Sequence, residues 1–176
     1  MISIYYSDHG TRRSSRGRAQ LQTGDRDGGV SQRIPGTFLS WLQDRREEVF
    51  VVATANDVSR LPAEFLRKGR FDEVFFVDLP DEATRREILR IHLARRHRDP
   101  DSFDLAELGS ASEGFSGSEL EQAVVAALYT AFSDSAELST EAVLEEIRWT
   151  SPLSELMAEK VSTLRAWAQG RAVRAN

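Results

Sequence analysis

The 176-residue chain contains no cysteine. That removes disulfides, thiolate metal sites and cysteine nucleophiles together, and it fits a reducing, cytoplasmic setting. Lysine is scarce as well, with only Lys68 and Lys160 present. A phosphate-binding loop of the form GxxxxGK[ST] needs a lysine between a glycine and a hydroxyl residue. Lys68 stands between Arg67 and Gly69, and Lys160 between Glu159 and Val161, so neither can serve. No apolar run is long enough for a signal peptide or a membrane span. The net charge of −5 leaves no overall electrostatic footprint for nucleic acid. A soluble protein that needs neither membrane nor nucleic acid is expected.

With 40% hydrophobic and 29% charged residues, the chain can bury a core beneath a soluble surface. Its length suits one domain or one and a half small ones. Residues 1–29 read poorly as folded structure. A short apolar start (Ile2, Ile4, Tyr5, Tyr6) is followed by a Gly-, Ser- and Arg-rich run with little to bury. The cluster Arg12, Arg13, Arg16 and Arg18 has no interleaved aromatic residue to stack on bases, so a solvated tail is the better reading.

Order is expected from about Ile34. Pro35 suits a first helical turn, and Phe38, Leu39, Trp41 and Leu42 form one apolar face behind it. VFVVATA, from Val49 to Ala55, is a continuous β-branched run and predicts a central strand of a parallel sheet, covered on both faces. LPAEFLRKG predicts a short helix stopped by Gly69. EVFFV, from Glu73 to Val77, predicts a second buried strand.

From Asp81 the pattern is all helical. Asp81 can cap a helix to about Arg96, with Ile88, Leu89, Ile91, His92 and Leu93 near its apolar side. A shorter helix follows over 103–112. Ser116 and Glu119 form a capping box that opens a long helix to about Phe132. Ser139 starts another, and 152–168 predicts a last one closed at Gly170. The fold class is therefore an α/β remnant over 30–80 followed by a helical domain over 81–172, resembling a four-helix bundle, with a tail at 173–176.

Some tempting motifs fail on inspection. GFSGS (114–118) lacks the second glycine and the preceding strand that a nucleophile elbow requires, so Ser116 reads as a helix cap. His92 and His97 lie five apart, on different helix faces, which argues against a shared metal. No metal ligand set and no paired carboxylates can be argued from spacing.

One segment is specific. VFVVATANDVSRLPAEFLRKGRFDEVFFVDLP, residues 49–80, resembles the second region of homology of AAA ATPases: a buried strand ending in a polar residue, then a short helix ending in L-R-x-G-R-F-D. The resemblance runs on through the helical lid and covers about residues 24–172. The tail SPLSELMAEKVSTLRAWAQGRA resembles an uncharacterised subfamily of AAA proteins found in cyanobacteria and plastid genomes. The α/β part is thereby identified as the remnant of a P-loop NTPase core, and the helical part as an AAA lid.

The resemblance implies site residues. Asn56 matches the sensor-1 position, where an amide at the carboxyl end of a strand orients the attacking water; ligand chemistry collects at such strand ends in open α/β sheets. Arg67 and Arg70 match the two arginine-finger positions, where a planar, permanently charged guanidinium suits a phosphoryl group gaining charge. Fingers of this kind reach a neighbouring subunit's nucleotide, which implies a homo-oligomeric ring, usually a hexamer. Ile88 and His92 match positions that pack around adenine and ribose. Gly117 and Ser118 match a small pair at a helix start against which the base rests; alanine is commoner in the family where Ser118 stands. The implied cofactors are ATP and Mg²⁺, both held mainly by a P-loop half that this sequence does not show.

The front departs from the family. A Walker A segment, an aromatic pore loop and a Walker B strand ending in Asp-Glu are expected ahead of the matched region. Asp8 lies at about the right distance, but His9 and an Arg/Ser run follow it. Residues 1 to about 23 are therefore expected to be non-native sequence, through a misassigned start, a truncation or a frameshift. The expected function is that of the C-terminal part of a cytoplasmic AAA ATPase that remodels an unidentified protein partner, inactive by itself. The rival expectation is a non-catalytic lid or assembly module that offers its arginines to a complete neighbour.

Overall fold

The computed structural model describes residues 2–7, 40, 50–55 and 73–175. The helices expected around 35–43 and at 61–69 fall outside them, as do Asn56, Arg67 and Arg70. The chain divides into two compact units: Met1–Asp78 together with Leu164–Asn176, and Leu79–Thr163.

The first unit holds a four-stranded sheet in the order β2-β1-β3-β4. The strands are β1 (Ile2–Ser7), β2 (Phe50–Ala55), β3 (Glu73–Phe76) and β4 (Val173–Arg174). β1 runs antiparallel to both neighbours, with Ile2 opposite Ala55 on one side and Phe76 on the other. β4 pairs parallel to β3.

Three expectations change here. The segment 1–29, read as disordered or non-native, contributes strand β1, because ISIYYS is a run of strong β-formers whose partners lie far along the chain. β2 is an end strand of the described sheet with an antiparallel neighbour, not a central parallel strand. Its residues alternate half-buried and exposed from Val51 to Ala55, with Val52 42% exposed, which is the period-two pattern of a strand covered on one face. The lid was expected to reach 172, yet residues from Leu164 belong with the sheet. β4 lies along β3, the Ala175 N–H donates to the Phe76 carbonyl at 3.0 Å, and Arg165 Nε donates to both Asp78 oxygens at 2.9 and 3.0 Å.

The second unit is helical. Its helices are α1 (Glu82–Arg95), α2 (Leu105–Ala111), α3 (Gly117–Ser133), α4 (Thr140–Trp149) and α5 (Leu153–Leu156), with α6 (Ala158–Ala168) leading out of it. The single helix expected over 152–168 is thus two, interrupted at Met157. The first four start on a polar cap: Asp81 accepts from Thr84 N, Asp104 from Glu107 N, Ser116 from Glu119 N and Ser139 from Ala142 N. Each cap satisfies one of the free N–H groups of a first turn.

α1 and α3 end on a residue in the left-handed region, His97 at φ 57° and Ser135 at φ 53°. In each case the next residue's N–H reaches back five positions, Arg98 to the Leu93 carbonyl and Ala136 to the Ala131 carbonyl. This is the Schellman ending, so His97 terminates a helix.

The core of this unit is drawn from all four longer helices. Leu89 and Leu93 come from α1, Leu105 and Leu108 from α2, Leu120, Val124 and Ala127 from α3, and Val143, Leu144 and Ile147 from α4, with Phe115 between α2 and α3. The α3 residues recur at helical spacing, which is why one face of that helix disappears into the core. Ile91, placed near the apolar side of α1 by its spacing, is 41% exposed.

Candidate functional site

Four of the residues singled out from sequence can be located: Ile88 and His92 on α1, and Gly117 and Ser118 at the start of α3, with Ile88 lying against Gly117. Ile88 is half-buried against the core. A Cβ placed on Gly117 would lie 3.5 Å from Ile88 Cδ1, an ordinary contact distance. The glycine therefore puts no side chain over Ile88 at this point, and Ser118 beside it is exposed.

One turn further along both helices the pairing becomes polar. His92 follows Ile88 by four, and Glu121 follows Gly117 by four; His92 Nδ1 lies 3.4 Å from Glu121 Oε1. Arg96, another turn along α1, joins them. Its NH2 donates to Glu121 Oε1 at 2.9 Å, and its NH1 reaches the His92 carbonyl at 3.1 Å and Nδ1 at 3.4 Å. Nδ1 of His92 thus faces a guanidinium donor and a carboxylate acceptor at the same 3.4 Å. Burial holds the His92 pKa below its ordinary value, aided by Arg96 and Arg95 and opposed by Glu121. A neutral imidazole is the result. Glu121 is held below the usual carboxylate range, first by its bond from Arg96 and then by the charge that His92 takes on in the acid range where a carboxylate titrates.

Arg96 and Glu121 were not singled out from sequence, although the four-residue spacing from His92 and Gly117 was available to find them. His92 and His97 serve different ends, as their spacing implied: one faces Glu121, the other closes α1. Among the described residues no helix is long and apolar enough to cross a membrane.

A pH dependence follows. Because the folded state disfavours protonated His92, the unfolded chain binds more protons through the histidine range, and stability rises with pH there. Unfolding free energy measured with urea should fall as pH drops from about 7.5 to about 5.5. His92→Gln should flatten that segment of the curve, and an unchanged slope would show that His92 titrates alike folded and unfolded. Glu121 and Asp81, whose folded pKa values are depressed, add losses only at lower pH, through the carboxylate range.

An apolar surface beside a neutral imidazole suits a neutral heteroaromatic ring. Comparison with known proteins gives the family. The family model described as "ATPase family associated with various cellular activities (AAA)" matches residues 15–79, and the "AAA+ lid domain" model matches residues 102–146. The two matches together take in more than half of the chain, and the chain belongs to the AAA family.

Among its relatives is the "Uncharacterized AAA domain-containing protein ycf46" of Pyropia yezoensis, 47% identical over 148 residues, which are 83% of this chain and 30% of that protein. The chain is also similar to "ATP-dependent zinc metalloprotease FtsH 2" of Petrotoga mobilis, 41% identical over 91 residues, or 52% of this chain and 14% of that one. The chain thus spans less than a third of these relatives' length. The fold is similar to about half of the FIGL-1 AAA domain, whose crystal structure aligns with a TM-score of 0.64 at 19% identity, over 81% of this chain and 52% of that chain.

Proposed function

We propose that this chain forms the C-terminal part of an AAA ATPase, supplying the lid's share of a nucleotide site and the residues that complete hydrolysis. The observation that carries the reading is the meeting of Ile88 with Gly117, one turn from a neutral His92. In this reading Ile88 and Gly117 hold the adenine, Ser118 borders it, and His92 lies toward the ribose. The residues present fit the nucleoside end of ATP. The triphosphate and Mg²⁺ call for a P-loop, which the lysine census does not provide here. When bound, ATP supplies the labile phosphoanhydride bond; this chain's residues bind, orient and exclude water.

Asn56 is proposed to orient the attacking water within its own subunit. Arg67 and Arg70 act on a neighbour's nucleotide, in a cytoplasmic homo-oligomeric ring, a hexamer by family analogy, that remodels a protein partner. With no P-loop of its own, the 176-residue chain is proposed to be inactive by itself. It could still serve as a lid that lends its arginines to a complete neighbour. The chain should release no phosphate from ATP above a buffer control and should bind nucleotide feebly, since the cradle of backbone N–H groups and its lysine are what hold the phosphates. Steady-state phosphate release that Asn56→Ala abolishes would overturn this.

A further inference from the structure

The start of α3 is held in an unusual number of ways. Glu119 Oε2 accepts from the Ser116 N–H at 2.8 Å and from the Ser116 hydroxyl at 2.6 Å, closing the capping box. Its other oxygen, Oε1, accepts from the Leu153 N–H at 2.7 Å. Leu153 is the first residue of α5, whose N-cap, Pro152, offers no side-chain bond. One carboxylate therefore caps two helices, its own and one that begins 34 positions further along the chain. Burial alone would raise its pKa, but the bonds from Ser116 and Leu153 outweigh burial and hold it below the usual range, so it is ionised at neutral pH.

The hydroxyls beside it then have no freedom. A serine hydroxyl has one proton and two lone pairs. Ser116 gives its proton to Glu119, so in the 3.1 Å contact between the Ser116 and Ser118 hydroxyls Ser118 must be the donor. Ser118 has thereby spent its own proton inward. Its remaining lone pairs belong to an exposed oxygen next to Gly117.

We propose that Glu119 is a positioning residue that sets ligand preference: by taking the Ser116 proton it turns Ser118 into a fixed acceptor at the edge of the Ile88–Gly117 surface. This inference rests on the nucleoside reading of that surface. An acceptor there favours a purine carrying an exocyclic amino donor over one carrying a carbonyl at the same position. Glutamine at position 119 has a single acceptor oxygen for donors on two sides, Ser116 and Leu153. If its NH₂ faces the Ser116 hydroxyl, the relay reverses and Ser118 presents its proton outward.

The test uses the full 176-residue chain and two nucleosides, which need no phosphate cradle. The Ile88 Cδ1 methyl and the Gly117 amide are followed by NMR during titration with adenosine and, separately, with inosine. One net hydrogen bond predicts a preference for adenosine of about three- to tenfold. Glu119→Gln should bring that preference close to unity, and so should Ser118→Ala, which leaves both helix caps intact. Amide protection along Leu120–Ala131 reports whether α3 persists in each variant. A merely structural Glu119 would weaken both nucleosides alike and leave their ratio unchanged. That outcome, or a Ser118→Ala chain that keeps the preference, overturns the proposal. If Glu119→Gln fails to fold, Ser118→Ala decides alone. If adenosine moves neither signal in the unaltered chain, the nucleoside reading itself fails and takes this inference with it.

Discussion

In a protein built by joining the P-loop half of a relative to this chain, Arg70→Ala should cut ATP turnover by about 10³–10⁵-fold. That corresponds to about 4–7 kcal/mol of lost transition-state stabilisation. ATP affinity should stay nearly intact, because a finger acts on charge that develops in the transition state, not on the bound ground state. Arg67→Ala should behave alike. Asn56→Ala should lose a comparable amount but within its own subunit. Mixing separates the two. An Arg70→Ala subunit, whose own nucleotide site is complete, should regain activity beside a subunit that keeps its arginines but cannot bind ATP. An Asn56→Ala subunit should not be rescued by the same partner. Rings shown to contain both subunits, yet without rescue of Arg70→Ala, would return Arg67 and Arg70 to an ordinary solvated basic cluster.

The helical unit was largely legible because its signals are local. Asp81, Ser116 and Ser139 each announce a helix start through a bond only three residues long. The lid match over 102–146 falls on the same stretch. Two strands of the sheet, Phe50–Ala55 and Glu73–Phe76, were legible as apolar runs, but the pairing was not, because it is set by residues far apart: Ile2 finds Ala55 and Phe76, and no local pattern in ISIYYS names either partner. The Arg- and Gly-rich run behind that strand masked it further. The end of the helical unit was misplaced for a similar reason. The Arg165–Asp78 ion pair spans 87 positions, and β4 is only two residues long.

The candidate site divides the same way. Family register alone located Ile88, His92, Gly117 and Ser118, and the structure places Ile88 beside Gly117 and His92 one turn along. What orders them was invisible. Helical spacing allows Glu121 to face His92 but cannot say that Arg96 bridges the two. The capping box could be read from Ser116 and Glu119, whereas the second duty of Glu119, at Leu153, depends on how α5 folds back. Asn56, Arg67 and Arg70 lie outside the described residues, so their roles rest on the register of residues 49–80.

The largest effect on stability should come from Arg85, a charged residue in the place of a core side chain. It sits on the buried side of α1, four residues before Leu89, and is only 7% exposed. Its Nε donates to the Gly109 carbonyl at 3.0 Å and its NH1 to the Pro80 carbonyl at 2.9 Å. The first bond satisfies a carbonyl in the last turn of α2 and sets a cation where the helix dipole favours one. α1 and α2 approach closely at this point, since a Cβ on Gly109 would come within 2.6 Å of Arg86 Cγ. Arg85→Ala removes both charge-assisted bonds, strips the Pro80 carbonyl of its partner and leaves the Gly109 carbonyl only the 3.3 Å bond from the Ser112 hydroxyl, beside a void, at a cost of about 3–5 kcal/mol. Against a total of about 5–15 kcal/mol for a typical domain, that brings the helical unit close to unfolding. Lysine, a single compact cation, can serve only one of the two carbonyls well, so Arg85→Lys should fall between. Arg86→Ala is the control. Its neighbour position is exposed, its partner Glu82 lies on the same face, and such pairs contribute at most about 1 kcal/mol. Urea unfolding of the three variants should show midpoints falling in the order Arg86→Ala, Arg85→Lys, Arg85→Ala, with similar slopes. If Arg85→Ala were no more costly than Arg86→Ala, the two main-chain bonds would not be holding α1 to α2.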